Sequence, residues 1–130
     1  MELTLFDLDN TLLNGDSDYA WAQFLIEQGV LERAAYEARN LEFYEQYKAG
    51  TLDINKFLDF QLAPLAKHSR AQLDTWHRRF MQQTIEPMVA KHAKALIESH
   101  RVRERTLAIV TATNTFITRP IAAHLNIPHL

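Results

Sequence analysis

Two aspartates separated by a single residue carry the strongest chemical signal in the chain, in Phe6-Asp7-Leu8-Asp9-Asn10-Thr11-Leu12. In an extended segment alternate side chains share a face, so Asp7 and Asp9 point the same way. Two carboxylates that close repel, and the arrangement needs a cation or a shared proton between them. A hard cation such as Mg²⁺, held by few carboxylates and completed by water and phosphate oxygens, meets that need. A solvated acidic turn is the plainer alternative. By average composition, D-x-D-x-[ST] arises by chance in a chain of this length only ~5% of the time, and the apolar strand before it cuts that several-fold. A second signal is Ile109-Val110-Thr111-Ala112-Thr113, which leaves a hydroxyl where a strand ends and a helix opens. Helix N-termini and exposed backbone N–H groups bind phosphate, and a threonine adds a donor. Alone this is ordinary strand-exit chemistry. It gains weight because parallel pairing would bring Thr111 beside Asp7.

The elements that must position these residues follow from pattern. Leu3 to Leu8 reads as a buried strand. Ser17 is a candidate cap for a helix carrying Trp21, Phe24 and Leu25, with Gly29 as its stop. A second helix, about Leu31 to Ala49, bears Leu41, Tyr44 and Tyr47 and stops at Gly50. A third starts near Asp53 and runs through Ile54, Phe57, Leu58 and Leu62 to Pro64. Ser69 and Gln72 form a capping box before Leu73, Trp76, Phe80 and Met81. At this spacing the aromatics read as core packing rather than a cofactor pocket. Pro87 opens a helix over Met88 to His100. Arg101 to Arg105 is a basic, solvated connection before the strand Leu107–Val110. Thr113 or Thr115 caps a helix through Ile121 to Leu125 with Pro120 inside it, and the tail from Asn126 to Leu130 reaches where a third strand would begin.

Strand, helix, strand, helix implies a parallel sheet with crossover connections. Roughly 100 positions separate Asp9 from Thr111, whereas a βαβ unit takes ~30. Residues 14–86 are therefore surplus and read as a helical insertion between core segments 1–13 and 87–130. It leaves from the C-terminal end of the first strand, where open α/β sheets bind ligands, so it reads as a lid.

The 130 residues suit one domain, and 47% hydrophobic with 23% charged residues is ordinary globular usage that excludes disorder. A net charge of −2 advertises no nucleic-acid or membrane partner. The absence of cysteine excludes disulfides, thiolate zinc sites and cysteine nucleophiles, and fits a reducing cytoplasm. No apolar run is long enough to span a bilayer, so a cytoplasmic protein is expected.

Phe6-Asp7-Leu8-Asp9-Asn10-Thr11-Leu12-Leu13 resembles the first motif of the haloacid dehalogenase superfamily of phosphotransferases, and Ile109-Val110-Thr111 its second. The helical insertion resembles the cap of the phosphoserine-phosphatase-like branch. Asn14-Gly15-Asp16-Ser17-Asp18 and Thr111-Ala112-Thr113-Asn114, with Thr118-Arg119-Pro120, are similar to that branch's subfamily IB hydrolases. The resemblance implies a Rossmann-like core with an inserted helical cap. It makes Asp7 the nucleophile that forms an aspartyl-phosphate and Asp9 the general acid and base. Mg²⁺ would sit on the Asp7 carboxylate and the Asp9 backbone carbonyl, and Thr111 and the Ala112 N–H would hold phosphate oxygens. Asp16 falls where phosphoserine phosphatases pair with the substrate amino group, with a shorter side chain. The family also needs a Lys after its second motif and a later acidic pair. The sequence ends at Leu130 without either, and so reads as the N-terminal part of a longer phosphatase.

Other candidates are weaker. The six histidines, His68, His77, His92, His100, His124 and His129, include no pair spaced for a helix-borne metal site and read as surface or packed residues. His100-Arg101-Val102-Arg103-Glu104-Arg105 reads as a solvated loop rather than a nucleic-acid contact. No G-x-S-x-G and no glycine-rich phosphate loop occurs. The expected function is an Mg²⁺-dependent phosphatase of small phosphorylated metabolites, phosphoserine before histidinol phosphate. The alternative class is a non-catalytic fragment that binds phosphate or a partner. A receiver-type phosphorylation switch fits poorly, because that fold carries no helical insertion there. With later strands absent, Leu3–Leu8 is expected to leave an apolar edge open to self-association.

Overall fold

The computed structural model describes residues Glu2–Leu130. Strand β1 (Leu3–Asp7) pairs in parallel with β2 (Thr106–Val110), Leu3 opposite Thr106 and Asp7 opposite Val110. The period-2 alternation sends Phe6, Leu107 and Ile109 to one buried face. On the other face Leu3, Leu5 and Val110 are 62%, 58% and 59% exposed. The tail follows on the far side of β2, where Ile109 donates its N–H to the His129 carbonyl at 2.9 Å and Ala108 bridges His129 in parallel. The chain is thus an α/β protein with a small parallel sheet, and the tail runs where the sequence places a third strand.

The loop after β1 is closed by the Leu13 N–H on the Leu8 carbonyl at 3.0 Å, with Leu8, Leu12 and Leu13 fully buried. Asn10 takes the left-handed conformation (φ 60°), which asparagine tolerates better than most residues. Its N–H donates to the Gly15 carbonyl at 2.9 Å. Helix α1 (Ser17–Glu27) begins directly beyond.

Chain contacts divide the protein into two compact units. One comprises the residues up to Phe24 with His77–Leu130, the other Leu25–Trp76. The divisions fall within α1 and α4 (Arg70–Phe80), inside the 14–86 segment read as an insertion. The physical reason is aromatic packing: Trp21 meets Phe24, His77 and Phe80 at ring-centroid distances of 5.8, 5.6 and 5.2 Å. α4 winds on through a π-helical stretch, Met81–Ile85, into the short α5 (Glu86–Met88). The expected helix over Met88 to His100 starts later, as α6 (Ala93–Arg101). Val89 is extended instead (φ −61°, ψ 124°) and bridges Leu13, while Ala90 donates its N–H to the Leu12 carbonyl at 2.9 Å. Pairing with the loop after β1 outweighs helix propensity there. α6 then makes the crossover to β2, with the His100 ring edge-on to Phe6 at 5.7 Å. α7 (Thr115–His124) follows β2 and buries Ile117, Thr118, Ile121 and Ala122.

The Leu25–Trp76 unit holds α2 (Arg33–Ala49), α3 (Ile54–Lys67) and the first part of α4. Glu32 caps α2 through the Ala35 N–H, and Gly50 ends it in the left-handed conformation (φ 74°). Asp53 caps α3, and the Ser69 hydroxyl accepts from the Gln72 N–H at 3.2 Å. Pro64 does not end α3; it lies buried inside a helix that continues to Lys67. Tyr44 and Tyr47, aromatics expected in the core, are exposed, as are Leu41, Ile54, Leu58 and Leu62. Phe43 is the buried residue of α2, packed on Phe57 and Phe60, with Tyr36 stacked on Phe60 at 5.0 Å. Spacing correctly groups residues on a helix face but does not say which face turns inward. No helix among the described residues is long and apolar enough to cross a membrane.

Candidate active site

The parallel register sets the site. Asp7 is the last residue of β1 and lies opposite Val110, the last of β2, so Thr111 leaves the sheet at the same edge. Asp7 is exposed, and among the described residues its carboxylate accepts from the Thr11 hydroxyl, at 3.3 Å. Asp9 is half-buried and differently employed. Its Oδ1 accepts the Ser17 N–H at 2.7 Å, and its Oδ2 accepts the Thr113 hydroxyl at 3.0 Å. The carboxylate therefore spans the starts of α1 and α7. Thr111 is half-buried with its hydroxyl accepting the Thr113 N–H at 3.1 Å, and Ala112 between them is exposed. Thr113 was legible only as a capping candidate; its bond to Asp9 joins two segments far apart in sequence.

Capping differs from expectation at both helices beside the site. α7 is capped by Asn114, whose Oδ1 accepts the Ile117 N–H at 3.1 Å, rather than by Thr113 or Thr115. Thr113 cannot serve because its hydroxyl is turned to Asp9. α1 is capped by Asp16, whose Oδ1 accepts the Tyr19 N–H at 3.0 Å, rather than by Ser17. The Ser17 hydroxyl is instead buried without a hydrogen-bond partner. Asp16 is exposed and already serves the backbone, so its removal is expected to cost stability whatever else it does. Asp16→Ala should lower the free energy of unfolding by ~1 kcal/mol in urea titrations, with Asp16→Asn close to wild type.

Asp18 is a carboxylate that the sequence did not single out as a site residue. Its pKa is pushed up from 3.8 to about 6, first by burial, then by the charges of Asp16 and Asp9. The folded value lies above the unfolded one, so the folded protein holds this proton more tightly. That contribution is complete below about pH 4 and is lost as the pH rises through about 6. Residual solvent access screens the repulsion and keeps the effect small. Asp18→Asn is expected to raise Tm by ~2–4 °C at pH 7.5 and hardly at all at pH 4. Equal shifts at both pH values would remove the buried, ionised carboxylate as the cause.

The oxygen donors at this edge suit a hard cation. The Asp7 carboxylate is open to solvent, whereas both Asp9 carboxylate oxygens are engaged by protein donors, which leaves its backbone carbonyl as the donor it could offer. Among the described residues no three His, Asp or Glu side chains converge to hold a metal. The residues present thus fit one part of an Mg²⁺ site.

Residues 4–130 match the haloacid dehalogenase-like hydrolase family, and the chain belongs to it. Over 119 residues, 92% of this chain, it is 44% identical to a histidinol-phosphatase of Neisseria meningitidis serogroup C. A crystal structure of a protein of unknown function from Bordetella pertussis Tohama I superposes on 99% of the chain with a TM-score of 0.89 and 41% identity. A phosphoserine phosphohydrolase-like protein from Francisella tularensis shares the fold over 98% of the chain, with a TM-score of 0.63 and 19% identity, and is covered over 55% of its own length. The chain spans about half the length of these relatives, 54% of the Neisseria protein and 58% of the Bordetella one.

Proposed function

We propose that the whole protein is an Mg²⁺-dependent phosphatase of small amino-bearing phosphomonoesters, with histidinol phosphate as first candidate and phosphoserine as second. The observation that carries this reading is the edge where Asp7 and Thr111 leave paired strands with Asp9 hydrogen-bonded to Thr113. The 44% identity to a histidinol-phosphatase supports the order of substrates. In this reading an Asp7 carboxylate oxygen attacks phosphorus, and the ester P–O bond breaks as Asp9 gives its proton to the departing alkoxide. Asp9 then takes a proton from water, whose oxygen attacks phosphorus and releases Asp7 and inorganic phosphate. Thr111 and the Ala112 N–H hold the phosphate oxygens. Asp7 and the Asp9 carbonyl would hold Mg²⁺, which would offset the negative charge shared by nucleophile and phosphate. The 14–86 segment, or the Leu25–Trp76 unit within it, would act as the cap that restricts the site to small substrates.

The test is hydrolysis of histidinol phosphate, phosphoserine and para-nitrophenyl phosphate by the whole protein, with Mg²⁺ and with a chelator. Histidinol phosphate is expected to give the highest kcat/KM, with activity lost on chelation and regained with Mg²⁺. Equal turnover of all three substrates would sink the substrate assignment, and full activity with chelator would sink the metal. The 130-residue chain by itself is expected to self-associate through Leu3, Leu5 and Val110, read by sedimentation velocity.

A further inference from the structure

Asp9 stands between two helix starts, one carboxylate oxygen on the Ser17 N–H of α1 and the other on the Thr113 hydroxyl just before α7. Its carboxyl is held only as firmly as those two starts are held to each other. One turn further along, a second connection joins the same helices. Trp21 of α1 meets Phe116 of α7 at 5.6 Å, and both rings pack against His77 of α4, at 5.6 and 5.2 Å. His77 is 4% exposed, and its Nε2 lies 2.9 Å from the Ile117 carbonyl oxygen. A carbonyl only accepts, so Nε2 carries the hydrogen and donates it. The N–H of the same residue, Ile117, is held by Asn114 Oδ1.

This bond falls where α7 is intrinsically weak. Pro120 lies inside the helix and supplies no N–H to the carbonyl of Phe116, four residues earlier. The first turn of α7 is held by the Thr118 N–H and hydroxyl on the Asn114 carbonyl, by Asn114 Oδ1 on the Ile117 N–H, and from outside the helix by His77 on the Ile117 carbonyl. We infer that His77 is a positioning residue for Asp9: by fastening the first turn of α7 against Trp21 of α1, it fixes the distance across which the Asp9 carboxylate is held. The inference rests on the proposed role of Asp9 as general acid and base. In this role His77 acts through the first turn of α7 and not on the reacting atoms.

The chain passes between its two compact units at Phe24/Leu25 and at Trp76/His77, so His77 is also the first residue of the returning segment. With Trp21, Phe24 and Phe80 it ties the outgoing helix to the returning one at that point.

The experiment compares the whole protein with His77→Phe, which keeps an aromatic ring but loses the donor, and His77→Gln, whose amide restores one. Phosphate release is measured per folded molecule, with the folded fraction taken from circular dichroism. His77→Phe is expected to lower kcat ~10-fold with KM within about twofold of wild type. His77→Gln is expected to recover kcat to within about threefold. Hydrogen exchange across residues 111–118 should quicken at least ~10-fold in His77→Phe while β2 stays protected. Should His77→Phe fail to fold, His77→Asn, too short to reach Ile117, takes its place. A donorless variant with wild-type kcat per folded molecule, or with unchanged exchange over 111–118, overturns the inference. An inactive wild-type protein overturns the phosphatase reading instead, and hydrogen exchange still decides the role of His77.

Discussion

Asp7→Asn in the whole protein is expected to abolish phosphomonoester hydrolysis while leaving the fold as stable as before. The amide is nearly isosteric but a poor nucleophile and a weaker metal ligand, so kcat should fall by ~10³-fold or more. Stability should not follow, because Asp7 is exposed and among the described residues holds the Thr11 hydroxyl, at 3.3 Å, which an amide oxygen can also accept. Thermal melts of the two proteins should overlay within about 2 °C. Hydrolysis of para-nitrophenyl phosphate within threefold of wild type would remove Asp7 from the nucleophile's place.

Asp9→Ala should behave differently, because this carboxylate has a structural task as well as a chemical one. Loss of general acid and base catalysis alone predicts a fall in kcat of ~10²–10⁴-fold. The same substitution leaves the Ser17 N–H and the Thr113 hydroxyl without their acceptor at the starts of α1 and α7. Hydrogen bonds to a charged, half-buried group contribute about 1.5–3 kcal/mol each, so a loss of ~3–6 kcal/mol is expected in urea unfolding. Asp9→Asn separates the two effects: its one carbonyl oxygen can keep one of the two donors, so stability returns in part while activity does not. An Asp9→Ala protein as stable as Asp7→Asn would mean that these two bonds contribute nothing measurable to folding.

Much of the local architecture was readable from residue order. The apolar run from Leu3 to Leu8, the helix start near Asp53, the cap at Ser69 and the stop at Gly50 depend on side chains acting within about one turn of their own backbone. Where such local cues compete, order did not choose between them. Asn114 caps α7 and Asp16 caps α1, although Thr113, Thr115 and Ser17 were equally credible by residue type. The Thr113 hydroxyl is drawn to Asp9, at a sequence separation of 104, whereas Ser17 gives Asp9 only its backbone N–H and keeps its own hydroxyl buried without a partner. Likewise α6 begins at Ala93 and not near Met88, because Val89 is recruited to bridge Leu13.

By itself the sequence determined the chemistry on offer: two carboxylates at the end of one strand, a threonine at the end of another, and no thiol. It also determined the class of fold, since an apolar strand, helices and a second apolar strand close into a parallel sheet with few alternatives. Only the tertiary structure decided how those groups are used. It turned Asp7 to solvent and drew Asp9 inward, and it sent Phe43 to the core while leaving Tyr44 outside. It also placed His77 under the first turn of α7. The physical reason is common to all of these. Periodicity and capping are governed by neighbours a few residues away. The face that is buried, and the donor that finds an acceptor, are settled by segments that meet only once the chain has closed on itself.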